Sequence, residues 1–340
     1  MLQLEIIRNK ETDLPMPPSS LSDLTKAAMF GLALWGGGAL PAQAQDGPLQ
    51  IVATTGMIGD AVRQVGGERV EVSALMGPGV DPHAFRQTSS DIALMARADA
   101  VFWHGLYLEA QLEEFMAALS AQRPVIALAE SLPKDQLREH DQYAGRYDPH
   151  VWMDPALWRG VIVAARDELT RLDPEGEAIF AANAQEHLAE IDKLVAYDET
   201  VLASVPPERR VLVTAHDAFG YFGAAYGYEV LAIQGISTES EAGLQRIEEL
   251  VGMLVERDIG AIFVESSVSD RNIRALVEGA AAQGHEVIIG GQLYSDAMGA
   301  PGTYEGTYLG MIDHNVSTIA GALGGEVPEG GMAGKLTSGM

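Results

Sequence analysis

The stretch DPEGEAIFAANAQEHLAEIDKLVAYDETVLASVPP, residues 173–207, divides the chain. Asp173-Pro174 opens it and Pro206-Pro207 closes it, because a proline ring cannot continue a helix. No glycine or proline interrupts it after Gly176. Apolar residues at Ile179, Leu188, Ile191, Leu194, Val195 and Leu202 recur at helical spacing. These signals predict one helix over about Glu175 to Ser204, roughly 40 Å long at a rise of about 1.5 Å per residue. One small lobe does not need that length, so a strut between two lobes is expected in preference to an ordinary packing helix.

Short apolar runs alternate with helical segments on both sides of the strut. Before it, strands are expected at Leu49–Thr54, Val70–Leu75, Ala100–Trp103 and Val125–Leu128. Helices are expected over Met57–Val65, after the capping hydroxyls of Thr88-Ser89-Ser90-Asp91, and over Leu108–Ser120. After it, strands at Arg210–Thr214, Val230–Ile233, Ala261–Glu265 and Glu286–Ile289 alternate with helices at Phe219–Tyr226, Ala242–Asp258, Asp270–Gln283 and Tyr304–Leu323. Such alternation predicts an α/β fold in which each lobe is a parallel sheet flanked by helices. The expected boundaries are an N-terminal lobe at 49–173, a linking helix at 174–204, a C-terminal lobe at 205–323 and a flexible, glycine-rich tail at 324–340.

The 340 residues carry 48 acids and 22 bases, a net charge of −26. That excess argues against nucleic acid and anionic membrane surfaces as partners. Residues 1–44 read as a secretory signal peptide. A short apolar run, Ala27 to Leu40, precedes Pro41-Ala42-Gln43-Ala44, with small residues where a cleavage site after Ala44 needs them. Met16 is an alternative start that leaves Lys26 as the leading charge. Beyond residue 44 there remain 44 acids and 19 bases, so the acidity belongs to the exported part. The chain has no cysteine, which excludes disulfides, thiolate metal sites and a lipid anchor on cysteine. A soluble periplasmic protein is expected.

Asp81-Pro82-His83 and Asp148-Pro149-His150 each present a histidine on a stiff stem, since proline fixes its own φ and restrains the residue before it. His216 follows the strand ending at Thr214, and Asp296 follows the one ending near Ile289. In open parallel sheets ligands sit beyond the carboxyl ends of the strands, so all four could face the cleft between the lobes. Three imidazoles and one carboxylate suit a borderline cation such as zinc. The spacings of 67, 66 and 80 residues do not by themselves establish a site, and each histidine alone reads as structural. His104 is a weaker ligand candidate, while Trp152, Asp154 and Glu109 read as packing or supporting positions, with Asp154 a candidate to orient an imidazole. His187, His285 and His314 read as core or surface residues.

The two Asp-Pro-His segments carry a resemblance further. Gln87-Thr88-Ser89-Ser90-Asp91, Gly105-Leu106-Tyr107-Leu108-Glu109, Asp148-Pro149-His150-Val151-Trp152-Met153-Asp154-Pro155, Thr214-Ala215-His216-Asp217-Ala218-Phe219-Gly220 and Leu293-Tyr294-Ser295-Asp296-Ala297-Met298-Gly299 follow in register. Over about residues 50–323 the chain resembles the zinc/manganese-binding proteins of ABC importers, the cluster A-I solute-binding proteins. The resemblance implies two α/β lobes joined by a rigid helix with the metal between them, and it carries ligand roles onto His83, His150, His216 and Asp296. Manganese-binding members commonly have glutamate at the third position; His216 here tilts the site towards zinc, with manganese as the alternative. Zinc members often have a long His-rich loop, whereas residues 132–147 hold only His140, which leaves a metallochaperone or His140 to assist loading.

The expected function is therefore capture of zinc in the periplasm and delivery to an inner-membrane ABC permease with its ATPase, by a monomer that is not an enzyme. Affinity is expected to fall as pH drops through about 6.5. The rival is a periplasmic zinc hydrolase, with Glu239, Glu265 or Glu305 as its base.

Overall fold

A computed structural model describes residues 47–140, 143 and 145–336; the expected signal peptide at 1–44 and the last four residues lie outside the described part. The first lobe holds four strands, β1 (Leu49–Ala53), β2 (Val70–Ala74), β3 (Ala100–Trp103) and β4 (Val125–Ala127), in the order β2-β1-β3-β4. All neighbours run parallel, with Leu49 opposite Val70, Ile51 opposite Ala100 and Val101 opposite Val125. The period of two is visible in the packing. Ile51, Ala53, Ala100 and Phe102 face one apolar cluster, whereas Val52 and Val101 face another with Met76, Met95 and Met116.

Helix α1 (Gly56–Gly66) starts at Thr55, whose side chain caps Ile58 N, and α2 (Ser89–Met95) starts with a capping box between Thr88 and Asp91. Helix α3 (Glu113–Ser120) begins later than Leu108 because Glu109 takes a non-helical φ of −91° and ψ of 54° and the next three residues, Ala110–Leu112, form a 3₁₀ turn. A long helix, α4 (Pro155–Leu172), has no counterpart in the sequence reading. Asp154 caps it by accepting from Ala156 N and Leu157 N, and Pro155 occupies its first turn. Asp154 is thus spent on a helix end and orients no imidazole.

The strut is α5 (Glu177–Ala203), 27 residues, preceded by a single 3₁₀ turn. It packs on α1 and α4 of the first lobe and on α6 (Gly220–Tyr226) and α9 (Tyr308–Ala322) of the second. Its buried face is Phe180, Ala184, His187, Ile191, Leu194, Asp198, Val201 and Leu202. Ile179, expected inside, is exposed; two polar residues, His187 and Asp198, are inside. Arg69 clamps the start of the strut region with two bonds to Asp173, at 2.5 and 2.9 Å.

The second lobe pairs β5 (Val211–Thr214) with β6 (Glu229–Ala232) and β7 (Ala261–Glu265) with β8 (Ile288–Leu293), all parallel, with β5 beside β7. Helices α7 (Leu244–Glu256) and α8 (Arg271–Ala282) cover one side. Strand β8 runs past Ile289 through two glycines. A Cβ on Gly290 would come within 2.9 Å of the Phe263 ring, and one on Gly291 within 2.4 Å of Thr318. Those glycines admit close neighbours rather than end the strand.

The expectation of a flexible tail from residue 324 is corrected through residue 336. Met332 N donates to both oxygens of the fully buried Asp313, at 3.0 and 2.9 Å, Glu326 N donates to Ser204 Oγ at 2.7 Å, and Leu336 is buried. Gly330 and Gly331, at φ 74° and 73°, let the segment turn back to supply those donors.

Candidate metal centre

His83, His150, His216 and Asp296 converge, each offering one ligating atom, all within 4.8 Å of one another. None is more than 3 % exposed. The Nε2 atoms of His83 and His150 are 3.3 Å apart, His150 Nε2 is 3.3 Å from Asp296 Oδ1, and His216 Nε2 is 3.2 Å from Asp296 Oδ2. Local chain chemistry places each. Asp81 Oδ1 accepts from His83 N at 2.8 Å, and Asp148 Oδ1 accepts from His150 N at 3.0 Å, so each stem closes as an Asx turn around its proline. His216 follows β5 by two residues, and Asp296 follows β8 by three. The second-lobe pair therefore sits beyond the carboxyl ends of β5 and β8.

Two carboxylates set the tautomers. His150 Nδ1 donates to Asp148 Oδ1 at 2.8 Å, and His216 Nδ1 donates to Glu265 Oε2 at 2.5 Å. Glu265, the last residue of β7, also accepts from His216 N at 2.9 Å. With Nδ1 donating outward, each neutral ring turns a bare Nε2 lone pair to the centre. Asp296 is braced by Ser267 Oγ at 3.3 Å, and Ser267 meets Ser295 Oγ at 2.9 Å. Trp152, fully buried against the His150 ring at 5.1 Å between centroids, donates Nε1–H to the Ser295 carbonyl at 2.8 Å.

Two atoms aimed at the centre, His216 Nε2 and Asp296 Oδ1, are buried without a hydrogen-bond partner. An orphaned buried polar atom costs about 1–3 kcal/mol, so the donor set fits a cation that would satisfy both. Charge tells the same story. Burial pulls His150 down, but Asp148 and Asp296 together outweigh it and lift the ring to about 9. His216 is likewise held well above its ordinary value, against burial, by Asp296 and Glu265. Burial lowers His83 to about 3 against the pull of Asp296, and the neighbouring imidazoles add to the lowering. Burial would raise Asp296, yet the two imidazoles hold it well below the carboxylate range. Without a cation, two ring protons supply the positive charge this carboxylate needs.

The remaining candidates fall outside the cluster. His104 donates Nε2–H to the Pro149 carbonyl at 2.7 Å, from behind the second stem. Glu109 accepts from Thr54 Oγ1, His104 N and Gly105 N, and so ties the strained turn after β3 to the end of β1. His140 packs on Tyr143 at 4.7 Å. His285 and His314 donate to the carbonyls of Ile259 and Gln292, and His187 is buried in the strut. Of the three glutamates weighed as bases, Glu265 has both oxygens committed to His216, and Glu239 is exposed and bonded to Gln111.

Two α/β lobes on a long helix, with a closed, cation-sized donor set between them, define a solute-binding protein of the metal class. The chain belongs to the family described as ZnuA, zinc-uptake complex component A periplasmic, whose model matches residues 51–322. It is 45 % identical over 278 residues to the manganese-binding lipoprotein MntA of Bacillus subtilis (strain 168), spanning 82 % of this chain and 90 % of that one. It is 44 % identical over 280 residues to the zinc-binding protein TroA of Treponema pallidum (strain Nichols), with the same coverage of 82 % and 90 %. The solved structure of periplasmic zinc-binding TroA from Treponema pallidum superposes with a TM-score of 0.79 over 82 % of this chain and 99 % of that one. No helix among the described residues is long and apolar enough to cross a membrane.

Proposed function

We propose that this protein captures a zinc ion outside the cytoplasmic membrane and delivers it, as a monomer, to an ABC permease with its ATPase. His83, His150, His216 and Asp296 are the ligands. The observation that carries this reading is the convergence of four ligating atoms within 4.8 Å, two of them buried and unpartnered. Three imidazoles favour zinc over manganese, because nitrogen-rich sets follow the order in which zinc lies well above manganese. Four protein ligands close the shell and leave no position for an activated water, so the protein binds its cargo and does not turn it over. Residues 1–44 serve in this reading as the leader for export, with the apolar run Ala27 to Leu40 before the small residues Ala42 and Ala44. Manganese remains the second reading, favoured by the name of the 45 %-identical Bacillus relative.

The test is competition titration of purified protein with zinc and manganese, with His216→Ala beside it. Zinc is expected to displace manganese. Loss of one of four ligands is expected to weaken zinc by about a hundredfold or more, since a whole structural zinc site is worth about 10–16 kcal/mol. Unchanged zinc affinity in His216→Ala sinks the proposed site.

A further inference from the structure

Each Asp-Pro-His stem of the first lobe is touched by a hydroxyl from the second. Thr238 Oγ1, on the loop after β6, donates to Asp81 Oδ2 at 2.5 Å, while Asp81 Oδ1 holds His83 N. Tyr221 Oη, on α6, donates to the Asp148 carbonyl at 2.9 Å and accepts from Arg138 N at 2.9 Å, while Asp148 Oδ1 holds His150 at both N and Nδ1. In both places one aspartate carries the histidine on one side and the opposite lobe on the other. The proline between them has a fixed φ, so little slack separates aspartate from imidazole. Gln111 Nε2, bonded to Glu239 Oε1 at 2.5 Å, fastens the Thr238 loop a second time.

We propose that Thr238 and Tyr221 are positioning residues, a pair of hydroxyl clasps that hold the two first-lobe histidines on the metal only while the lobes are closed. This rests on the metal-binding reading above. The ligands are almost wholly shielded from solvent, so an ion leaves only when the halves of its shell part. Parting the lobes breaks both hydroxyl bonds, and each broken bond frees one stem. Closing them restores both stems at once. The clasps therefore act on escape of the ion more than on its first encounter, and a partner that pulls the lobes apart would reach His83 and His150 through them.

Stopped-flow transfer of zinc from loaded full-length protein to excess EDTA reads the escape rate, and mixing metal-free protein with zinc reads capture. Thr238→Val and Tyr221→Phe keep size and ring packing while removing the hydroxyl. Each is expected to release zinc about tenfold faster, and the pair together about a hundredfold faster, the scale on which supporting hydrogen bonds tune metal sites. Capture is expected to stay within about twofold, and Thr238→Ser to restore slow release. Wild-type release rates in Thr238→Val and Tyr221→Phe, or failure of Thr238→Ser to restore them, overturn the clasps while leaving zinc binding standing. Failure of the wild-type protein to take up zinc overturns the functional reading and the clasps with it.

Discussion

His216 and Asp296 stand at strand ends and are braced from within their own lobe, by Glu265 at the end of β7 and by Ser267 just beyond it. His83 and His150 ride on loops, and the aspartates that shape those loops are bonded across the cleft to Thr238 and Tyr221. A parallel sheet offers a rigid rim, and the two second-lobe candidates are braced chiefly from that rim, with Trp152 reaching only the Ser295 carbonyl from the other side. The first lobe also has a parallel sheet, yet its candidate ligands sit 9 and 23 residues beyond the nearest strand, β2 and β4. Their geometry is borrowed from the other lobe. A site built this way has one fixed half and one conditional half, which suits a protein that must hold an ion tightly and still give it up.

The largest expected effect is that of pH, and it counts protons lobe by lobe. His150 at about 9 and His216 well above its ordinary value are both protonated in the metal-free protein near neutrality, whereas His83 at about 3 is not. Zinc must displace one proton from each lobe. Affinity is then expected to rise with pH above the ordinary histidine value of about 6.5, more steeply than one proton allows while both rings are charged, and to flatten only as His150 titrates through about 9. This moves the window upward from the ordinary histidine value. The sign for stability is opposite. The raised His150 stabilises the metal-free protein in full below about 6.5, and that contribution is lost as pH rises towards 9. Zinc titrations across this range check the slope, and melting curves of metal-free protein check the decline. His83→Ala should leave the slope unchanged; a slope reduced by one would break the assignment of the neutral ring to the first lobe.

Next in size are the two orienting carboxylates. Glu265→Gln and Asp148→Asn each leave an amide that can no longer hold an imidazole by charge, and each is expected to cost about ten- to a hundredfold in zinc affinity. The comparison between lobes predicts that they differ in kinetics. Glu265→Gln damages the fixed half and should slow capture as well as hasten release. Asp148→Asn damages the conditional half, where Tyr221 still grips the backbone carbonyl, and should act on release alone. Equal effects on both rates in both variants would erase the distinction.

Much of this was legible in the chain. The strut announced itself by a proline at each end and an uninterrupted interior, and the four converging groups by stems and strand ends. Local signals failed where packing decided the matter. Helix α4 was hidden because Asp154-Pro155, its cap and first turn, closes the same segment that carries His150. Strand β8 was cut short because Gly290-Gly291 looks like a turn, and only the Phe263 ring and Thr318 explain the missing side chains. The inward face of the strut misses Ile179 because Phe180, one residue on, turns to the core in its place, in line with Ala184, His187 and Asp198. Glu265 could not be matched to His216 across 49 residues, whereas Asp148, two residues from His150, was within reach of a local argument. No periodicity records which hydroxyl of one lobe will meet which aspartate of the other.

The smallest expected effect isolates what the first lobe does for itself. His104 supports the second stem from inside that lobe, donating to the Pro149 carbonyl, and burial lowers it to about 3, so it stays neutral at physiological pH. With Nε2 donating, its Nδ1 is left buried and without a partner, an expense borne by the core. His104→Phe keeps a flat ring between Trp152 and Trp158 and removes one of two donors on the Pro149 carbonyl, which keeps Val151 N at 2.7 Å. Loss of one buried hydrogen bond costs about 0.5–1.5 kcal/mol, which should lower the melting temperature of the metal-free protein by a few degrees. Zinc affinity should fall by less than about threefold, because Asp148 and Tyr221 still fix the stem that carries His150. Melting curves and competition titrations on one preparation separate the two quantities. If His104→Phe weakens zinc as much as Tyr221→Phe, the first lobe holds its own ligands and the borrowed geometry is wrong; if only the melting temperature moves, His104 belongs to the fold and the cleft hydroxyls belong to the ion.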